Sequence, residues 1–219
     1  MADIPGDDPI IEDQSQLPDP LPVFPLPNVV LMPNARLPLY IFEERYKEMV
    51  RDCLEGEPYL SVALLQKGWQ QQPGAPRPYP IAGFGRITRA VRRPNDCMDI
   101  VIQGMGRIEM LDFHEDRAYL RASVRTLSPA PVDQALVIQQ ADTMRQQFFD
   151  LLDRKGVAAE QVRTQLKLLA SPLDMVFFIA SHLPLDPYAQ QEVLQTLSVE
   201  DQIARLTHVL GMMRGAQLN

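Results

Sequence analysis

The hydrophobic period of this chain changes once, near residue 128, and that change limits the folds open to it. Before it, apolar residues come in short runs: "YLSVALLQ" at 59–66, then runs near 81–93, 97–103, 106–113 and 118–127. Runs of that length bounded by turn residues read as strands, and several in succession predict a small barrel or sandwich. After Pro131 the spacing becomes three and four. Val137, Ala141, Met144, Phe148 and Leu151 fall on one helical face, and Val199, Ile203, Leu206, Leu210 and Met213 repeat the pattern near the end. In "SPLD" (171–174) and "DP" (186–187) a capping side chain stands before a proline at the first helical position, marking two further helix starts. The expectation is an α+β chain, with a β part over 21–127 and a bundle of roughly four or five helices over 128–219.

Residues 1–20 fit neither pattern. They carry six acids (Asp3, Asp7, Asp8, Glu12, Asp13, Asp19) and no base, and are read as a disordered acidic tail. They also account for most of the net charge of −7: with those six removed from 28 acids, 22 remain against 21 bases. A body so near neutrality argues against a nucleic-acid binder driven by bulk charge. From Leu21 onward prolines interleave with Val23, Phe24, Leu26, Val29, Val30 and Leu31, which predicts short edge strands and turns, since proline gives no donor to a central ladder. No basic segment followed by an apolar one opens the chain, and "LDMVFFIASHLP" is too short to span a bilayer. The expectation is a cytoplasmic protein without a membrane span.

The stretch "LPLYIFEERYKEMV" (37–50) turns abruptly from strand to helix. Leu37, Leu39 and Ile41 alternate with Pro38, Tyr40 and Phe42, which predicts a strand covered on both faces. From Glu43 the pattern becomes helical, with Tyr46, Met49, Val50, Cys53 and Leu54 on one face and a Glu43–Lys47 pair on the other. Such a helix is expected to lie across the barrel.

Catalytic signatures are missing from the linear sequence. None of Lys47, Lys67, Lys155 and Lys167 follows a glycine, so there is no Gly-Lys-Ser/Thr phosphate loop. No serine stands two residues after a glycine or three before a lysine, which removes the Gly-x-Ser-x-Gly and Ser-x-x-Lys arrangements. His114, His182 and His208 are isolated; His114 reads as part of a turn and His182 as the end of a helix. Cys53 and Cys97 suggest neither a disulfide framework nor a zinc site. The echo of "GFGRI" (83–87) in "GMGRI" (104–108) lacks the third glycine of a dinucleotide fingerprint, so these glycines are expected to mark bulges or close backbone crossings. No catalysis, metal or cofactor is expected.

"VFPLPNVVLMPNARLPLYIFEERYKEMV" resembles the opening signature of the Lon protease N-terminal, substrate-binding domain family. "GFGRITRA", "DIVIQGMGRIEML" and "YLRASV" are similar to its later strands, and "PLDMVFFIASHLPLDPYAQQEVLQTLSVEDQIARLTHVL" to its helical half. The resemblance runs from about residue 21 to 210, in the family's order. It implies a PUA-like pseudo-barrel joined to a helical bundle, holding unfolded or tagged polypeptides, in a form without ATPase or protease domains. Where the family often has Asp-Gly-Arg before a strand, this sequence has "NDCMD".

Polypeptide recognition needs adaptable apolar surface. Trp69, the sole tryptophan, and Tyr79 lie in the loop "KGWQQQPGAPRPYP" and are the leading contact candidates, followed by Met32 and Tyr40. The rival class is RNA binding through Arg86, Arg89, Arg92 and Arg93, part of a set of eight arginines against six acids between 86 and 125. Alternation along an unbroken strand would place Arg86 and Arg92 on one face and Arg89 and Arg93 on the other. The seam from Val199 to Met213 either packs inside the bundle or pairs two copies as a homodimer. The reading favoured is a non-catalytic module for extended polypeptide, acting as an adaptor in protein quality control.

Overall fold

The computed structural model describes residues 17–71, 76–128, 134–155 and 159–215. The chain divides into two compact units, Met1–Leu127 and Ser128–Asn219. Residues 1–16 of the expected acidic tail lie outside the described residues.

The first unit is a mixed six-stranded sheet with one helix. Its strands are β1 (Leu21–Leu26), β2 (Arg36–Ile41), β3 (Tyr59–Leu64), β4 (Ile81–Arg92), β5 (Met98–His114) and β6 (Arg121–Thr126), with α1 (Glu44–Glu55) between β2 and β3. The sheet order is β2-β5-β4-β3-β1-β6, and a further β5–β6 pairing closes β5, β4, β3, β1 and β6 into a ring. β5 makes the closure possible. It is one strand of 17 residues where two shorter runs were expected; its first part pairs with β2 and its second with β6.

Two cores lie on opposite faces of the sheet. Leu21, Val23, Tyr59, Ala63, Ala82, Phe84, Ile108, Met110 and Ala122 come from all five ring strands and fill its inside. Phe24, Leu60, Val62, Ile87, Ile100 and Ile102 meet Tyr46, Met49, Val50 and Cys53 of α1 on the other face. All six residues of β3 are buried for this reason: alternate side chains enter different cores.

Three expectations about the amino-terminal third need correction. β2 is not covered on both faces: Leu37, Leu39 and Ile41 pack into a core, while Arg36, Pro38 and Tyr40 are exposed. β1 is not an edge strand, for it pairs parallel with β3 and antiparallel with β6. It tolerates Pro25 because its register with β6 covers only Leu21 and Pro22, leaving Pro25 matched on one side, to Ala63. Lys47 pairs with Glu44 at 2.8 Å rather than with Glu43, which holds Arg45 at 2.8 Å instead. The expected apolar face of α1 is buried at Tyr46, Met49, Val50 and Cys53, while Leu54 remains exposed.

The paired glycines have a steric explanation. A Cβ on Gly83 would collide with the Leu31 carbonyl and one on Gly104 with the Met32 carbonyl, because residues 31–35 cross both strands closely. The Asn34 amide donates to the Gly104 carbonyl at 2.9 Å and the Gly104 amide to Ala35 at 2.8 Å. In the turn where the sequence reads "NDCMD", Asn95 and Asp96 take φ of +61° and +56°, a region these two residues tolerate better than most others without glycine's freedom.

The second unit comprises α2 (Gln134–Lys155), α3 (Ala159–Leu168), α4 (Pro172–His182), α5 (Pro187–Gln195) and α6 (Val199–Gly215). α2 packs along α6, and α4 contacts α2, α5 and α6. Val137, Ala141, Met144, Phe148 and Leu151 are buried, as are Val199, Ile203, Leu206 and Leu210. The carboxy-terminal seam therefore packs within its own unit as far as Leu210. The Ser171 hydroxyl accepts from the Asp174 amide at 3.4 Å, and the Asp186 carboxylate from the amides of Tyr188 and Ala189 at 2.9 and 3.1 Å, so both expected caps form. His182 is the last residue of α4; its ring stacks on Phe178 and its Nδ1 lies 2.8 Å from the Phe178 carbonyl.

Candidate binding groove

A groove of about 490 Å3 opens on the first unit, built by four segments that the backbone brings together. The first is the end of β1, which contributes Pro25. The second is the return of the 66–80 loop: Leu65 and Pro78 form an antiparallel bridge, and the Gln66 amide donates to the Arg77 carbonyl at 3.0 Å. This places Pro76, Arg77 and Pro78 on the wall. The third is the first turn of α1, with Arg45 and Tyr46. The fourth is the end of β5 and the turn to β6, contributing Phe113, Glu115 and Arg117–Leu120; the Val23 amide, donating to the Leu120 carbonyl at 2.8 Å, holds this turn beside β1.

Tyr46 and Tyr119 lie in the lining but belong mostly to the core, at 6 and 5 % exposure. The Tyr46 ring packs on Phe24 with centroids 4.2 Å apart, and the Arg45 guanidinium stands 4.6 Å above the centre of the same ring. The Tyr119 hydroxyl donates to the Asp52 carboxylate at 2.7 Å. Burial, then that carboxylate, push the Tyr119 phenol above its ordinary range; burial likewise raises Tyr46. Both phenols are neutral at physiological pH. Phe113, at 43 % exposure, supplies the open aromatic surface. Three guanidiniums, one carboxylate, aromatic rings and three prolines can hold a ligand by contact and charge; the described lining includes no serine, cysteine, histidine or lysine.

The residues singled out from sequence fall elsewhere. Trp69 is half-buried in a short 3-10 turn (Trp69–Gln71), and Tyr79 is half-buried directly after the groove residue Pro78; neither is in the lining. Tyr40 is 56 % exposed and stacks on Phe42, itself 61 % exposed, with centroids 6.1 Å apart. Met32, at 2 % exposure, is in the interior, so its side chain offers no surface to a partner.

The arginine strand is also altered. A register shift between Ile87 and Arg89 leaves Thr88 as an extra residue, so Arg86 and Arg89 both lie on the face opposite to Ile87 and Ala90, which join the core shared with α1. The expected split between these two is corrected by the bulge. Arg89, Arg92 and Arg93 are exposed and Arg86 is half-buried. Of the wider set, Arg93 is paired with Asp99, Arg121 with Asp116 and Arg125 with Glu109, while Arg107 is buried.

Sequence reasoning missed Arg45, Arg77, Phe113 and Arg117 as one group. The available signal was Phe113, an aromatic residue immediately before the charged turn "HEDR". Among the described residues no three His, Cys, Asp or Glu side chains are gathered to hold a metal, and no helix is long and apolar enough to cross a membrane. Both cysteines are buried free thiols.

Comparison with known proteins assigns the fold to a family. Residues 20–211 match the profile of the ATP-dependent protease La (LON) substrate-binding domain. The chain belongs to this family. It is 26 % identical over 204 residues to a Lon protease of Dictyoglomus thermophilum, covering 91 % of this chain and 25 % of that protein. A Lon protease of Desulfovibrio desulfuricans is 26 % identical over 191 residues, 87 % of this chain and 21 % of that protein. The chain thus spans about a quarter of the length of the curated relatives it matches. Among solved structures, the N-terminal domain of Mycobacterium avium complex Lon protease superposes with a TM-score of 0.72 at 14 % identity, covering 87 % of this chain and 97 % of that one. A Lon N-terminal domain protein from Xanthomonas campestris gives 0.62 at 21 % identity, covering 85 and 95 %. These two likenesses establish the fold.

Proposed function

We propose that this chain is a non-catalytic recognition module for unfolded or extended polypeptide, working in the cytoplasm as an adaptor in protein quality control. The observation that carries the reading is the 490 Å3 groove, which combines exposed aromatic and proline surface with guanidiniums. Membership of the substrate-binding family supports it. Trp69 and Tyr79 extend the contact along the loop that supplies Arg77 and Pro78, and the exposed Tyr40–Phe42 pair is a second aromatic surface on the same unit. RNA is the weaker alternative because the eight arginines between 86 and 125 stand against six acids, a local excess of only two.

The test is fluorescence anisotropy with a labelled, permanently unfolded polypeptide and a labelled single-stranded RNA in parallel, at low and moderate salt. Saturable polypeptide binding that survives salt and weakens in Phe113→Ser is the expected result. RNA binding that falls steeply with salt, with no polypeptide binding, would replace this reading.

A further inference from the structure

We infer that the groove selects acidic polypeptide segments, those in which carboxylates flank one or two apolar side chains. This rests on the polypeptide reading above and adds a chemical preference to it. The lining carries Arg45, Arg77 and Arg117 against Glu115 alone, although the chain beyond its first 20 residues is close to neutral. Within the lining itself guanidiniums thus outnumber carboxylates where the surface is concave, which is where charged groups most affect an incoming ligand.

The hydrogen-bonding inventory points the same way. Pro25, Pro76 and Pro78 bring no backbone N–H, and the Tyr119 hydroxyl already donates to Asp52. The side-chain donors of the described lining are chiefly guanidinium N–H groups, so a well-matched ligand supplies acceptors, and a carboxylate fits the guanidinium fork best.

The partners of Arg45 and Arg117 do not remove that capacity. Arg45 holds Glu43 at 2.8 Å with the side chains 53 and 42 % exposed. Arg117 stands 3.8 Å from Asp52 with 52 and 34 % exposure, beyond hydrogen-bond distance. Solvent-exposed pairs of this kind contribute little, so an incoming carboxylate can share either guanidinium at small cost. The apolar requirement comes from Phe113, Leu120 and the proline walls. A nucleic acid would also bring anions, but it needs several ring faces for successive bases, and with Tyr46 and Tyr119 almost wholly buried the described lining offers one open ring, Phe113.

The experiment uses the full chain and three fluorescein-labelled decapeptides: one alternating Asp/Glu with Leu and Phe, one with every acid replaced by Lys, and one with every apolar residue replaced by Ser. The acidic–apolar peptide is expected to bind about tenfold more tightly than its lysine counterpart at low salt, with the gap narrowing as salt rises. Arg77→Glu and Arg117→Glu should each reduce the gap while far-UV circular dichroism is unchanged; Arg77→Gln, which adds no charge, should reduce it less. Equal affinity for the acidic and lysine peptides, or a gap untouched by these variants, overturns the preference yet leaves general polypeptide binding standing. Preference for a single-stranded RNA over all three peptides overturns both. A rise in affinity for the acidic peptide after Asp7→Asn and Asp8→Asn would replace the partner by this chain's own amino-terminal segment.

Discussion

The two units bury their apolar residues under different constraints, and the difference explains where a binding surface can arise. In the helical unit each long helix commits one stripe: Val137, Ala141, Met144, Phe148 and Leu151 on α2, Val199 to Leu210 on α6. In the β unit a single strand serves two cores, and the ring closes only because β5 changes partners along its length. Closure forces irregular segments at the strand ends. Those segments, rather than regular elements, supply most of the groove.

The largest expected effect breaks one unit and spares the other. Phe148 is among the largest fully buried side chains, at 1 % exposure, so Phe148→Ala should cost about 3–5 kcal/mol. Trp69, the sole tryptophan, reports the β unit, whereas helicity at 222 nm reports mostly the other. In urea, helicity should be lost at a distinctly lower concentration than the tryptophan signal changes. Coincident shifts of both signals would mean that the units unfold as one, and the contrast drawn above would fail.

A glycine of the β unit gives the next effect. Gly83→Ala forces a Cβ into the Leu31 carbonyl, a backbone atom that no rotamer change can move aside. Overpacking of this kind costs about 1–3 kcal/mol, and the backbone contact puts this variant at the upper end. The urea midpoint followed by Trp69 should fall accordingly. An unchanged midpoint would show that the 31–35 crossing yields easily, and would remove the steric account of Gly83 and Gly104.

The same contrast decides what was legible in the sequence. The helical stripes, the caps at Ser171 and Asp186 and the strand-to-helix change at Glu43 were readable, because each is set by residues within one or two turns. The one-sided burial of β2 was not: Pro38 and Tyr40 look like core alternation, but only Leu37, Leu39 and Ile41 meet the core shared with α1 while the other face stays open. The shift at Thr88 likewise depends on how β4 meets β5, which no local period encodes. The groove was missed for a related reason. Arg45, Arg77 and Arg117 are 32 to 72 residues apart in sequence and become neighbours only through the β1–β3 pairing and the turn before β6. Trp69 was legible as a rare residue in a proline-rich loop, but rarity does not say which loop residues face the concavity.

A pH effect of intermediate size belongs to the β unit. Cys53 is 2 % exposed on the buried face of α1, its thiol donates to the Tyr59 carbonyl at 3.6 Å, and burial pushes its pKa up from 9.0 to about 12. Above pH 9 the unfolded thiol loses its proton while the native one keeps it. The unfolded chain then binds fewer protons, so stability is complete below pH 9 and declines towards pH 12, by about 1.4 kcal/mol for each unit. Tyr119 acts in the same direction at higher pH. Urea midpoints of the tryptophan signal at pH 8, 9.5 and 10.5 should fall progressively, and Cys53→Ala should flatten the early part of that slope whatever it costs at pH 8. Parallel slopes in the two proteins would remove Cys53 as the cause.

The smallest effect reverses the sign of the glycine result. Gly211 lies in α6 on an exposed position, and a Cβ built there meets nothing within 4 Å. Here glycine contributes only its backbone freedom, which favours the unfolded chain, so Gly211→Ala should stabilise by about 0.5–1 kcal/mol. Thermal melts followed at 222 nm should move up by a few degrees, without change in the tryptophan-reported urea midpoint if the units unfold separately. The same Gly-to-Ala change would thus weaken one unit and strengthen the other, because a glycine in the crossed strands accommodates a neighbouring backbone and one in the open helix does not. Loss of stability in Gly211→Ala would show that this face of α6 is approached closely in solution, and that the helical unit also uses glycine to admit a neighbour.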